Sequence, residues 1–340
     1  MFVQNVGTPF TGFAGYGVLV YIIDYNNDGY LDIVGKGIYA EAHLLLNQAP
    51  GGIVLSRPGD LYKTSVGWSF DFSDMAFGDL DGDGDLDLAV FAPYAVNVQL
   101  FENDGGGQFT LLTGAATQSL SIEQDVIATV GCGGAWSGGS SGDRVVRWAD
   151  YDQDGDLDLL VAGACKRVFL FRNDDGVLNN VWDDAETPEG LSQRGAMSSW
   201  LVEDAAWGDV NGDGYPDLVV GGYFATRSAT LGRYPLQVFA NHVNSNPSTV
   251  LARTQDWVTS FAASYDGPQD FGAMALALGD LDGDLDVDIL VVGNIGGHVL
   301  TNDGSGQFTV VQNELTPSNL CCSGDISWFY YQTLREIAVS

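Results

Sequence analysis

Basic side chains are scarce. Over 340 residues, 13 Lys and Arg stand against 45 Asp and Glu, a formal net charge of −32. So acidic a chain cannot displace counterions from phosphates, which excludes nucleic acid and anionic membrane surfaces as partners. Histidine is scarcer, at three residues. His43 and His298 fall in one slot, four residues before a recurring Asn, where other repeats carry Gln99, Phe169 and Gln237. A slot so repeated is read as structural. No Cys/His pairing is suggested by position, and no catalytic residue is assigned. The four cysteines, Cys132, Cys165, Cys321 and Cys322, lack C-x-x-C spacing, so zinc is not expected. Neighbouring Cα atoms lie only about 3.8 Å apart, so Cys321 and Cys322 can hardly bridge each other. A Cys132–Cys165 bridge is compatible with the sequence. No run reaches the ~18 apolar residues of a spanning helix, so membrane insertion is not expected. The amino terminus lacks a basic n-region and a cleavage site; the chain is read as a mature form, a fragment or an intracellular protein.

Glutamate is also rare: 8 residues against 37 Asp. Glu favours helices, whereas Asp favours turns and hard-cation sites. Together with 45 glycines this excludes a helical bundle. Yet 45% of the chain is hydrophobic, enough for one large domain or a repeat array.

One pattern recurs five times: DYNNDGYLDIV from Asp24, DLDGDGDLDLAV from Asp79, DYDQDGDLDLLV from Asp150, DVNGDGYPDLVV from Asp209 and DLDGDLDVDILV from Asp280. Oxygen-bearing side chains stand at positions 1, 3, 5 and 9 of each loop, and an apolar run follows. A second landmark is an apolar stretch ending in Asn47, Asn103, Asn173, Asn241 or Asn302, which lie 15, 16, 15, 24 and 14 residues after the ninth-position Asp. Extra residues around TRSATLGRYPL account for the long spacing. Asn-Asp-Gly turns between apolar runs, as in LFENDGGGQFTLL, predict hairpins. Each repeat therefore reads strand, Asp loop, buried strand, turn, strand, Asn/Gly turn, strand. Four antiparallel strands in about 60 residues is the anatomy of a β-propeller blade, whose faces are buried only when blades pack side by side.

The predicted fold is an all-β propeller forming a single domain over 1–340. Its five blades span about 14–62, 66–118, 143–190, 201–262 and 271–312. VQNVGTP at 3–9 echoes VQNELTP at 311–317, so 1–13 is read as the outer strand of an incomplete blade. Residues 313–340 are an exit segment or the start of a further blade, with DISWFYYQTL as its first strand. Both a small closed ring and part of a six- or seven-bladed one fit; the larger is preferred.

Ca²⁺ takes six to eight hard oxygens at about 2.3–2.6 Å, in a geometry loose enough for a loop to supply. Alternate residues of a tight turn point inward. The expected side-chain ligands are Asp24, Asn26, Asp28 and Asp32; Asp79, Asp81, Asp83 and Asp87; Asp150, Asp152, Asp154 and Asp158; Asp209, Asn211, Asp213 and Asp217; and Asp280, Asp282, Asp284 and Asp288. Position 7 offers a backbone carbonyl, from Tyr30, Asp85, Asp156, Tyr215 and Asp286. Position 9 is expected to close the site with both carboxylate oxygens. Gly29, Gly84, Gly155 and Gly214 at position 6 allow the sharp turn, but the fifth loop has Leu285 there. Four or five Ca²⁺ sites are expected.

GDVNGDGYPDLVVGG, Gly208 to Gly222, resembles the FG-GAP calcium loop of the integrin α-subunit propeller, and LFENDGGGQFT and VLTNDGSGQFT resemble the related VCBS repeats. The resemblance spans about 14–312. The family's aromatic-Gly is present at Phe77-Gly78 and Trp207-Gly208 and altered at Ala149 and Leu278. The resemblance implies a secreted or cell-surface protein, with Ca²⁺ stabilising the blade loops and ligands bound elsewhere. The expected function is non-enzymatic recognition or adhesion toward a protein or glycan ligand. The alternative is a lectin-like propeller or an accessory domain of a larger secreted enzyme. Trp68, Trp136, Trp182, Trp200, Trp257 and Trp328 lie near inter-repeat connections, where they would stack on sugars or wedge blades together; the second reading is preferred.

Overall fold

The apolar segments flanking each Asp loop are too short for stable helices and rich in Val, Leu, Ile and Phe, and they form strands. The computed structural model describes residues 19–36, 43–47, 53–55, 74–91, 98–113, 145–162, 168–183, 200–224, 236–245, 250–256, 273–293 and 296–315. The four cysteines, both terminal segments, and Trp68, Trp136, Trp257 and Trp328 lie outside them. No helix occurs among the described residues.

Five four-stranded antiparallel sheets follow one another along the chain. The first holds β1 (Leu19–Ile23), β2 (Asp32–Lys36), β3 (His43–Asn47) and β4 (Ile53–Leu55). The second holds β5 (Asp74–Gly78), β6 (Asp87–Phe91), β7 (Val98–Asn103) and β8 (Phe109–Leu111). The third holds β9 (Val145–Ala149), β10 (Asp158–Ala162), β11 (Val168–Asp174) and β12 (Val177–Asp183). The fourth holds β13 (Trp200–Gly208), β14 (Asp217–Phe224), β15 (Leu236–Asn241) and β16 (Leu251–Asp256). The fifth holds β17 (Ala273–Gly279), β18 (Asp288–Gly293), β19 (Gly296–Asn302) and β20 (Phe308–Leu315). In every sheet the strands pair in sequence order, and each Asp loop joins the first strand to the second.

The second strands show why the sheets stack. Along β10, Leu159 and Val161 pack against Ala89, Val98 and Leu100 of the second sheet, while Leu160 and Ala162 pack with Val202, Leu218 and Val220 of the fourth. Alternate residues of one strand thus feed two cores, so the run is apolar throughout. Four such layers join the five sheets in succession, as in a propeller. Among the described residues, no further layer covers the outer faces of the first and fifth sheets. Position 2 of a loop is buried at Tyr25, Leu80, Tyr151 and Val210, but its equivalent in the fifth sheet, Leu281, is 49% exposed. Leu31, at position 8 of the first loop, is 57% exposed.

A polar network runs across the first strands. Arg147 on β9 donates to Asp74 on β5 and Asp204 on β13, both at 2.6 Å. Tyr21 on β1 donates to Asp74 at 2.9 Å, and the Leu276 N–H on β17 donates to Asp204 at 2.9 Å. One chain of contacts therefore touches all five sheets. The aromatic-Gly dipeptide also has a packing cause: a Cβ on Gly78 would lie 2.7 Å from the Trp148 ring of the next sheet. Phe77 in turn packs edge-on against Tyr21 of the preceding sheet.

Candidate metal centre

Each loop is a tight turn built by its own carboxylates. Position 1 accepts N–H bonds from further along the loop: Asp24 from Asp28 (3.1 Å) and Gly29 (2.8 Å), Asp79 from Gly82 (2.8 Å) and Gly84 (3.0 Å), Asp280 from Gly283 (2.7 Å) and Leu285 (3.1 Å). These bonds require positive φ at position 6, found at Gly29, Gly84, Gly155 and Gly214 and also at Leu285, whose φ is 78° and which is 88% exposed. An L side chain in that region costs about 1–2 kcal/mol. Leu285→Gly is therefore expected to raise stability by about 1 kcal/mol, after glycine's greater unfolded-state entropy is offset. Urea denaturation checks it, and an unchanged midpoint would count against strain at this residue.

Position 9 is a buried hub. Asp87 accepts the Leu80 N–H on one oxygen and the Asn103 N–H on the other, both at 2.8 Å. Asp158 does the same for Tyr151 (3.0 Å) and Asn173 (2.8 Å), Asp217 for Val210 (3.0 Å) and Asn241 (2.8 Å), and Asp288 for Leu281 (2.7 Å) and Asn302 (2.9 Å). In the first loop Asp32 accepts the Asn47 N–H, and its buried Oδ2 has no hydrogen bond. Burial pushes Asp87 and Asp217 up to about 6 and Asp158 up to about 8, against an ordinary 3.8. The N–H donors pull the other way, and neighbouring loop carboxylates add to the rise.

Three loops bring positions 1, 3 and 9 together: Asp79, Asp81 and Asp87; Asp150, Asp152 and Asp158; Asp280, Asp282 and Asp288. In each set the ligand oxygens lie within 4.8 Å of one another, so each set could hold a metal ion. The first and fourth loops carry an amide at position 3. There Asn26 and Asn211 accept N–H bonds from Asp28 (3.3 Å) and Asp213 (2.8 Å). Position 5 stands apart from the three sets: Asp28, Asp83, Asp154, Asp213 and Asp284 each accept the N–H of position 7 at 2.9–3.0 Å. At position 7 the Asp side chains turn toward the hairpin, where Asp156 accepts the Asp175 N–H (3.3 Å) and Asp85 and Asp286 lie against Gly105 and Gly304. Their carboxylates leave only the backbone carbonyl as a potential ligand. The donor set, all hard oxygen, fits a divalent cation such as Ca²⁺. Asp152 Oδ1, in the cluster of the third loop, is a buried oxygen without a hydrogen bond, an orphaned acceptor a cation would satisfy.

The recurring Asn was visible in the sequence as a landmark, but its chemistry was not. Its N–H holds position 9, and its amide also donates to the carbonyl of position 8 in its own loop: Leu31, Leu86, Leu157, Pro216 and Val287. Arg147, Asp74 and Asp204 carried no sequence signal, because each belongs to a different repeat. Trp182 lies on β12, buried edge-on against Phe239 of the next sheet, and wedges two sheets together. His298 is partly buried, and that burial lowers its pKa.

A family model described as FG-GAP-like repeat matches residues 24–90, 79–161 and 150–220, more than half of the chain. Each match starts at one Asp loop and runs through the next. Among solved structures, a lectin from Agrocybe aegerita, described for specific recognition of non-reducing terminal N-acetylglucosamine, is similar at 20% identity and a TM-score of 0.57, over 97% of this chain and 73% of that one. A protein from Lactobacillus plantarum is similar at 15% identity and a TM-score of 0.46, over 84% of this chain and 68% of that one.

Proposed function

The chain belongs to the FG-GAP-like repeat family, and on that premise we propose that it is a non-enzymatic, calcium-binding β-propeller serving extracellular recognition or adhesion. The observation that carries the reading is the repetition in register of one all-oxygen loop, with three loops gathering their carboxylates within 4.8 Å. Unscreened carboxylates at that spacing repel strongly, and a divalent cation removes the repulsion. When bound, the cation supplies charge neutralisation; the chain supplies the turn, the buried position-9 carboxylate and the N–H groups that fix it. Carboxylates held ionised beside a cation make poor general acids, which favours a binding role over catalysis. The exposed Leu31 and Leu281 faces favour a ring with a further sheet between them. No described helix is long and apolar enough to cross a membrane, a statement that does not extend to β-barrels.

Calorimetric titration of the calcium-free protein is expected to find four or five sites, and one site or none would overturn the reading. The alternative, a lectin-like propeller, draws on the fold shared with the Agrocybe aegerita lectin. A glycan array with and without calcium separates the two: saccharide binding favours the lectin, and its absence with retained calcium sites favours a protein ligand.

A further inference from the structure

The Asp loops are wired to one another through the recurring Asn. The Asn103 amide donates 2.9 Å to the Tyr25 carbonyl, at position 2 of the preceding loop. Asn173 reaches Leu80 (2.7 Å), Asn241 reaches Tyr151 (2.7 Å) and Asn302 reaches Val210 (2.6 Å) in the same way. All four amides are buried, and their partners lie 78–93 residues away in sequence.

At Leu80, Tyr151 and Val210 the carbonyl so held belongs to the residue whose N–H binds that loop's own position-9 carboxylate. Asn173 holds the Leu80 carbonyl; the Leu80 N–H holds Asp87; Asp87 holds the Asn103 N–H; the Asn103 amide holds the Tyr25 carbonyl. The same steps run from Asn302 through Val210, Asp217, Asn241, Tyr151 and Asp158 to Asn173. The bonds form one unbroken relay across four sheet interfaces. Position 2 lies between two expected ligands, positions 1 and 3, so the amide fixes the backbone that aims both of them.

We propose that Asn103, Asn173, Asn241 and Asn302 are positioning residues that couple neighbouring loops, so that calcium binding in one loop strengthens binding in the next. The proposal rests on the calcium reading above. Ordering position 9 in one loop orders its Asn, the Asn orders the preceding loop's turn, and the coupling is reciprocal by linkage. Asn47 differs: its amide reaches only Leu31 of its own loop among the described residues.

The test is calcium calorimetry on the full chain carrying Asp24→Ala, which disables the first loop. Coupled loops lose one site, and the second loop weakens by about fivefold or more. Added to Asn103→Leu, the same Asp24→Ala change leaves the remaining affinities unaltered; added to Asn47→Leu, it still weakens them. A purely structural Asn would lower the melting temperature yet leave the sites independent. Should Asn103→Leu fail to fold, the comparison of wild type with Asp24→Ala decides alone. Loss of one site with unchanged affinities overturns the coupling only, and absence of calcium binding in the wild type overturns the coupling together with the calcium reading.

Discussion

Chelation of divalent cations by EDTA is expected to lower the melting temperature by about 15 °C. At free calcium about a hundredfold over Kd, one site stabilises the folded chain by about 2.7 kcal/mol, so four sites contribute about 11 kcal/mol. An unfolding entropy of about 2.1 cal/mol/K per residue turns that into the stated shift for a chain of 340 residues. The size should depend on pH, because Asp87, Asp158 and Asp217 bind protons more tightly folded than unfolded. Between their ordinary 3.8 and their folded values of about 6 to about 8, the cation-free folded chain carries more protons than the unfolded one. Stability of the cation-free protein therefore falls as pH rises through that window. With calcium the trend reverses, since the cation requires the ionised carboxylates that protons occupy at low pH. Scanning calorimetry at pH 5 and pH 8, with calcium and with EDTA, should show the larger gap at pH 8. Identical melts in all four conditions would sink the metal assignment.

Arg147→Leu is expected to cost about 3–5 kcal/mol without touching any Asp loop. Asp74 and Asp204 are 1% and 2% exposed, and the guanidinium lies 2.6 Å from each. Removing the guanidinium takes an ion-pair partner from two buried carboxylates between three sheets, and the loss is that of breaking a buried ion pair. The triple change Arg147→Leu, Asp74→Asn and Asp204→Asn should recover most of the loss, because no buried charge then lacks its partner. Urea denaturation of both variants measures the effect. A loss below about 1 kcal/mol for Arg147→Leu would place the triad with surface ion pairs.

The strand order and the loop pattern were legible because both are local. Positions 1, 3, 5 and 9 recur within nine residues, and an apolar run such as Leu159–Ala162 announces a strand buried on both faces. The loop reading was incomplete where the structure gave one group two tasks. Position 9 was expected to offer both oxygens to a cation, whereas Asp87, Asp158, Asp217 and Asp288 each use both to hold backbone N–H groups. A carboxylate oxygen has two lone pairs, so an ion and an N–H can share it. Leu285 was legible as a departure, and its positive φ shows that the loop kept its shape despite the side chain.

The sequence alone determined the architecture within a repeat: the surplus of Asp over Glu marked loops in place of helices. The tertiary structure alone decided what joins one repeat to the next. Gly78 makes room for Trp148, Arg147 bridges Asp74 and Asp204, and Asn103, Asn173, Asn241 and Asn302 each reach a carbonyl in the preceding sheet. The physical reason is that spacing records neighbours along the chain, whereas these contacts are made across cores whose two walls are encoded 57 to 93 residues apart.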